Sequence, residues 1–300
     1  MIRIGVDIGG TKTEVAAIDS LGHTRFLERK PTPSSYTAKI ELVAELVARA
    51  EKFLGSDSFS VGIGHPGSIN PDSGLVRNSN STELNGKPLK QDLETALGQS
   101  VRCANDANCF ALSEAIDGAG QNARSVFGVI LGTGVGGGLV VDGTLMIGHG
   151  LIGGEWGHIS LGWPNADEIP GPSCKCGLSG CVESWLSGPA FAADHARSTG
   201  ETLTADAIVA AAERGDEHAK ASLRRYIDRL ARSLAMVINI VDPEVMILGG
   251  GLSNIPNLAE EIANRLPAWV FSDQTTTRIS HNRHGDSSGV RGAAWLWPLE

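Results

Sequence analysis

Arg3-Ile-Gly-Val-Asp-Ile-Gly-Gly-Thr-Lys-Thr-Glu-Val-Ala-Ala-Ile-Asp19 is the stretch from which the fold can be read, because a looser copy of it returns as Val126-Phe-Gly-Val-Ile-Leu-Gly-Thr-Gly-Val-Gly-Gly-Gly-Leu-Val-Val-Asp-Gly143. Each copy reads as strand, glycine turn, strand. Strand-forming residues flank the glycines, and a turn signal closes each unit, Asp19-Ser-Leu-Gly22 in one and Asp142-Gly143 in the other. One copy near the start and one near the middle imply a duplicated α/β architecture of two lobes, with a ligand held in the central cleft between them.

Helical stripes alternate with these strands. Val43, Leu46, Val47, Ala50, Phe53 and Leu54 recur at helical spacing and stop at Gly55. Ala219, Leu223, Ile227, Leu230, Leu234, Val237 and Ile238 form a longer stripe ended by Asp242-Pro243, after which Val245-Met-Ile-Leu248 reads as a buried strand. A Gly/Gln/Asn-rich stretch over Gly118–Arg124 marks the boundary between a smaller lobe, 1–118, and a larger one, 119–288.

Composition narrows the partners. The chain carries 34 acidic and 25 basic residues, a net charge of -9, and no clustered basic face of the kind nucleic-acid binding needs. No apolar run is long enough for a membrane span, and the first strand pattern begins without a cleavable signal, so a cytoplasmic protein with no membrane partner is expected. Cys103 and Cys109 read as buried thiols. The remaining three of the 5 cysteines crowd into Cys174–Cys181, which fits metal binding in a reducing compartment.

Three glycine turns point to a nucleotide. Asp7-Ile-Gly9-Gly10-Thr11-Lys12 places two glycines where backbone N–H groups can approach an anion, with Thr11 and Lys12 as further donors. Gly132-Thr133-Gly134-Val135-Gly136-Gly137-Gly138 and Gly249-Gly250-Gly251 are richer in glycine than a hairpin requires. Neither the Walker pattern nor the dinucleotide fingerprint fits them in the required strand-to-helix setting. Asp7 faces Ile130 in the alignment of the two copies, so one copy alone brings a carboxylate, which suits Mg²⁺ bridging nucleotide phosphates.

Asn105-Asp106 precedes a helical run, where Asp or Asn commonly caps a helix. The same position serves a base: a helix N-terminus keeps Asp106 ionised, and phosphoryl transfer removes the acceptor's proton only late. Gly67, Ser68, Asn80, Asn105, Glu155, His158 and Glu183 supply the polar groups a sugar requires, each being by itself an ordinary loop side chain. Cys174, Cys176 and Cys181, with His158 as fourth ligand, form an S₃N set suited to closed, structural Zn²⁺ that would brace the loop carrying those groups.

Together these residues resemble the ROK (repressor, ORF, kinase) family of sugar kinases, within the actin-like ATPase superfamily. The resemblance rests on Asp7–Thr13, Asn105-Asp106, Gly132–Gly138, Glu155-x-Gly157-His158 and the Cys-x-Cys-x₄-Cys cluster. It implies ATP-dependent phosphorylation of a hexose with Asp106 as the catalytic base. Asn105, Glu155, His158 and Glu183 would then face the sugar. Gly9, Gly10, Thr11, Lys12, Thr133 and Gly134 would hold phosphates, and Gly250 and Gly251 would lie against the adenosine. It further implies a homodimer and a C-terminal helix over about 289–300 packed back on the first lobe. Val76–Gly86 and His284–Pro298 look most like fructokinases, making D-fructose the expected acceptor, with mannose or glucose secondary; N-acetylglucosamine kinase is the alternative. The family also contains sugar-sensing repressors, but here the phosphate motif begins at Asp7, leaving no room before it for a helix-turn-helix. A non-catalytic binder on the same fold is the remaining class, and the intact Asn105-Asp106 argues against it.

Overall fold

The computed structural model describes residues 2–55 and 59–298. It divides into two compact units: Met1–Asn122, Gly138–Gly154 and Arg283–Glu300 form the first, Ala123–Gly137 and Glu155–Asn282 the second. The segment 138–154, expected in the later lobe, belongs to the first unit, because its hairpin packs on residues of that unit such as Ala111 and Asn108.

In chain order the first unit contains β1 (Ile2–Ile8), β2 (Lys12–Ile18), β3 (Thr24–Pro31), α1 (Tyr36–Leu54), β4 (Phe59–His65), β5 (Ser68–Ile69), β6 (Val76–Arg77), α2 (Leu89–Leu97), β7 (Val101–Asn105) and α3 (Asp106–Ile116). Then come β8 (Ser125–Leu131), β9 (Val135–Val141), β10 (Thr144–Leu145), α4 (Glu183–Leu186), α5 (Gly188–Thr199), α6 (Ala205–Glu213), α7 (Glu217–Val241), β11 (Val245–Gly249), α8 (Leu258–Ala263), β12 (Arg278–His281) and α9 (Ser288–Ala294).

Two five-stranded sheets have the orders β3-β2-β1-β4-β7 and β10-β9-β8-β11-β12. These are the same order twice. In the first, β1 pairs antiparallel with β2 and parallel with β4, to which β7 adds in parallel. In the second, β11 pairs in parallel with both β8 and β12. The repeat quoted above therefore generates the opening strand pair of each sheet, with Gly9 and Gly10 in one turn and Gly132 and Gly134 in the other, whereas Gly136–Gly138, expected in the turn, lie within β9. The parallel strands read as continuous apolar runs because both faces are covered: Ile4, Val6, Val61 and Ile63 are fully buried, as are Val245–Leu248.

The helix stripes end where their chemistry dictates. Gly55 adopts the left-handed conformation after α1 and its N–H returns to the Glu51 carbonyl at 3.0 Å. Asp216 caps α7 by accepting from Ala219 N at 2.7 Å, and Asp242, at φ 48°, ends the helix before Pro243.

Helix α9 packs on the first unit, at such close range that its backbone meets strand backbone. A Cβ on Gly5 would collide with the Val290 carbonyl, one on Gly62 with the Ala293 carbonyl, and one on Gly292 with the Cys109 carbonyl. The approach is held by Glu114, fully buried on α3, whose carboxylate accepts from Ala119 N (2.9 Å), Arg283 N (3.0 Å), His284 N (3.2 Å) and Ser288 Oγ (2.8 Å). One turn on, Asp117 binds His284 Nε2 at 2.9 Å, Trp295 Nε1 at 3.2 Å and the Arg291 guanidinium. Residues 299 and 300, the end of the expected C-terminal helix, lie outside the described residues.

Candidate functional site

In the first unit, Asp7 sits at the end of β1 with its carboxylate wedged between glycines: a Cβ on Gly289 would lie 2.7 Å from Asp7 Oδ2, and one on Gly64 3.5 Å from Oδ1. No described residue hydrogen-bonds this carboxylate. Burial, reinforced by the negative charges of Asp106 and Glu14 and only partly offset by Lys12 and Arg29, pushes its pKa from 3.8 up to about 7. A carboxyl held in so unfavourable an environment is one that a cation would relieve.

The turn after Asp7 is closed by Gly9 N donating to the Lys12 carbonyl at 3.0 Å and fastened to β3 by Thr32, whose Oγ1 donates to the Gly9 carbonyl at 2.9 Å. Gly10 and Thr11 are left exposed at its tip. Lys12 reaches Asp286 at 3.2 Å, both side chains in solvent, a pair weak enough to be exchanged for a phosphate.

Asn105 and Asp106 occupy the junction of β7 and α3. The cap is Asn105, not Asp106: its Oδ1 accepts from Ala107 N at 2.9 Å while its Nδ2 donates to the Gly67 carbonyl at 3.1 Å. Asp106 is the first helical residue, its Oδ1 sharing the Ala107 N–H at 2.9 Å. Asn105 thus joins the acceptor loop to the helix that bears Asp106. Gly67 needs its glycine, since at φ 80° a Cβ would strike Ser79 N at 2.8 Å. Ser68 pairs with Arg77 in the β5–β6 ribbon and its Oγ accepts from Arg77 Nε at 3.3 Å. Asn80 is displayed on an exposed loop whose base is clamped by Asn85, bonded to Ser79 N at 2.9 Å and Ser79 O at 3.0 Å.

In the second unit, Gly132 N donates to the Gly134 carbonyl at 2.9 Å and the Gly132 carbonyl accepts from Gly188 N at 2.8 Å, which curls the loop and leaves Thr133 exposed. Gly250, at φ 82°, passes so close to Leu131 that no side chain fits, and Gly251 is open. Glu183 lies on α4 with one oxygen accepting from Val135 N at 2.9 Å and the other 3.1 Å from Lys175 Nζ. It therefore ties the start of β9 to the cysteine loop. Glu155, just before the turn Trp156–His158, has no side-chain partner among the described residues.

His158, Cys174, Cys176 and Cys181 converge. Their ligand atoms all lie within 4.8 Å of one another, with His158 Nδ1 3.5 Å from Cys174 Sγ and Cys176 Sγ 3.5 Å from Cys181 Sγ. A tetrahedral zinc with ordinary bond lengths has edges of about 3.6–3.8 Å, and these two pairs are close to that spacing. Burial pushes the Cys181 thiol up, a cost that a bound cation would offset. Cys103 and Cys109 are plain thiols as expected, both raised by burial.

The side chains sequence reasoning passed over are His65, Asn108, Glu114 and Asp117. Asn108 stands three residues after Asn105, hence on the same helix face, and that spacing was the available signal.

A family model described as the ROK family matches residues 3–300. The chain belongs to the ROK family. The N-acetyl-D-glucosamine kinase of Salmonella gallinarum (strain 287/91 / NCTC 13346) is 43% identical over 297 residues, spanning 97% of this ROK chain and 98% of that protein. Among solved structures, the ROK hexokinase from Thermus thermophilus superposes with a TM-score of 0.88 at 30% identity, covering 98% of this chain and 97% of that one. A ROK family glucokinase from Streptomyces griseus, solved with glucose and AMPPNP, gives a TM-score of 0.81 at 30% identity and covers 99% of both chains. The ROK chain described here thus has the duplicated α/β fold of the actin-like ATPases and sugar kinases. No helix among its described residues is long and apolar enough to cross a membrane.

Proposed function

We propose that this chain transfers the γ-phosphoryl group of ATP to a hydroxyl of N-acetyl-D-glucosamine, with Asp106 receiving the hydroxyl's proton. The observation carrying the chemistry is the division of labour at the start of α3. Asn105 supplies the N-cap, which makes Asp106 the first residue of α3 and sets its carboxylate at the positive end of the helix. A loose transition state calls on the proton acceptor only late in the reaction, so a carboxylate of low basicity suffices there.

The relatives support this acceptor, since the proteins that share 43% identity over nearly the whole of both chains are N-acetyl-D-glucosamine kinases. This revises the preference for fructose, and the structure supplies a reason. The ending His284–Pro298 resembled fructokinases, yet its His284, Ser288, Arg291 and Trp295 serve Glu114 and Asp117 and hold α9 in place. Val76–Gly86 is likewise occupied by the β5–β6 ribbon and the Asn85 clamp. Much of the resemblance in both stretches thus lies in residues engaged in packing.

Gly9–Lys12 and Thr133-Gly134 would hold the phosphates, Lys12 exchanging Asp286 for an oxygen, with Gly250 and Gly251 against the adenosine. Asp7 would hold Mg²⁺, which when bound neutralises charge on the phosphates. His158 turns Nδ1 to the cysteines, which leaves Nε2 for a sugar hydroxyl beside Glu155. Glu183 would take a hydroxyl only by loosening Lys175, whose side chain is 46% exposed. Zinc at the cysteines would fix this loop and take no part in phosphoryl transfer.

The test is ADP release from N-acetylglucosamine, glucose, mannose and fructose, for the native protein and Asp106→Asn. The expected outcome is the highest kcat/KM on N-acetylglucosamine, and in the variant sugar binding by calorimetry with turnover reduced roughly 100-fold or more. Fructose as best acceptor would restore the fructokinase reading, and near-native turnover of Asp106→Asn would remove the base.

A further inference from the structure

A cavity of about 580 Å³ runs beside the edge strand β7, and every residue lining it belongs to the first unit. Two of its wall residues, Ser68 and Asn105, are among the expected sugar contacts, and Asn105 is the neighbour of Asp106. Two others are buried polar side chains with functional groups left over. His65 is 1% exposed and Asn108 4% exposed. His65 uses Nδ1 at 3.1 Å from the Pro66 carbonyl, an atom that only accepts, so Nδ1 carries the proton and Nε2 is an acceptor with no partner among the described residues. Burial pushes the imidazole pKa down and keeps it neutral. The Asn108 amide has no hydrogen-bond partner among the described residues at all, and its Oδ1 is an orphaned buried acceptor.

Buried polar groups are nearly always satisfied, so two adjoining one cavity call for a ligand that is polar on two sides. The rest of the wall is apolar: Leu112, Leu145, Ile147 and Leu151 contribute. A secondary amide ending in a methyl group, carried on a hydroxylated ring, matches this lining, since its N–H and the adjacent hydroxyl are donors and its methyl seeks apolar contact. A ring hydroxyl would satisfy one polar group and leave the apolar wall unused.

We propose that this cavity receives the acetamido group of the acceptor sugar, with His65 and Asn108 as specificity-determining residues and the Leu145–Leu151 loop closing over the methyl. The inference rests on the N-acetylglucosamine reading above. The orphaned Asn108 Oδ1 accepts the amide N–H, and the hydroxyl on the neighbouring ring carbon donates to His65 Nε2, so each unpartnered acceptor meets a donor. Because Asn105 bonds to Gly67, filling the cavity also firms the junction that presents Asp106.

The experiment is the ratio of kcat/KM for N-acetylglucosamine to that for glucose, in the native protein, Asn108→Ala and Ile147→Glu. Ile147 is 40% exposed, so the second substitution is compatible with folding even where loss of Asn108 is not. Both variants are expected to lower the ratio about tenfold, through KM for N-acetylglucosamine, while kcat/KM for glucose stays within about twofold. Equal losses on both sugars, or an unchanged ratio in Ile147→Glu, would overturn the assignment of the cavity. A native protein inactive on N-acetylglucosamine overturns the acceptor reading itself and this inference with it, so the native assay and the variant ratios separate the two failures.

Discussion

Replacing Asp7 by Asn is expected to stabilise the protein while disabling it, and the two effects have separate signatures. The Asp7 carboxyl is displaced from an ordinary pKa of 3.8 to about 7, first by burial and then by the charges of Asp106 and Glu14. The folded chain therefore holds this proton more tightly than the unfolded chain. Its contribution to stability is fully present below about 3.8 and is lost as the pH climbs to about 7, beyond which it changes no further. Each decade of proton affinity is worth about 1.4 kcal/mol, which sets a ceiling of about 4 kcal/mol on the cost of the ionised group. Partial exposure and solvent screening bring the working figure to about 2 kcal/mol. Asn is nearly isosteric, and no hydrogen bond of Asp7 is there to be lost. Thermal unfolding at pH 8 should thus show Asp7→Asn melting on the order of 5 °C above the native protein, with the gap closing as the pH falls toward 4. In the same preparation, turnover with Mg²⁺ and ATP should fall, since the neutral amide no longer attracts the cation. A melting difference independent of pH, or a variant less stable than native at pH 8, would refute the electrostatic reasoning about this position.

Elemental analysis should find about one zinc per chain, and stripping it with a chelator should lower the melting temperature and abolish sugar binding; a metal-free preparation with full activity would remove the zinc site. Gly62→Ala places a methyl group against the immovable Ala293 carbonyl and should cost about 3 kcal/mol or more, read as a shift in denaturation midpoint. Gly143→Ala, whose added Cβ meets nothing within 4 Å, should cost only the strain of its left-handed φ of 71°, about 1 kcal/mol, which separates backbone strain from collision.

Much of the fold was legible because it was written twice. The strand-turn-strand repeat, the stop at Gly55 and the break at Asp242-Pro243 are local signals that long-range packing did not override. The cysteine cluster was legible for a similar reason, its spacing being short enough for the chain itself to bring the thiols together. What could not be read were matters decided by residues far apart in sequence. Asp106 looked like a cap until Asn105, bonded to Gly67, was seen to fill that place. Glu183 was read only as a sugar ligand, and its bonds to Val135 N and Lys175, which tie β9 to the cysteine loop, were not foreseen. The place of 138–154 in the first unit depends on a hairpin resting on α3 at Gly138, an approach that no periodicity encodes. His65 and Asn108 were invisible for the opposite reason: what marks them is the absence of partners, and a sequence does not show what a side chain fails to touch.

The close seating of α9 also bears on how the protein is made. Residues 288–294 are synthesised after the whole second unit, yet they cover Gly5 and Gly62 on strands made before it, and Gly289 completes the wall around Asp7. During synthesis the nascent first sheet must wait with its glycine face bare while the whole second unit is threaded out and folded. The Asp7 environment exists only once α9 has docked. A finished phosphate site is therefore absent until α9 has been made, and the sheet awaiting its cover is the surface a chaperone would be expected to guard.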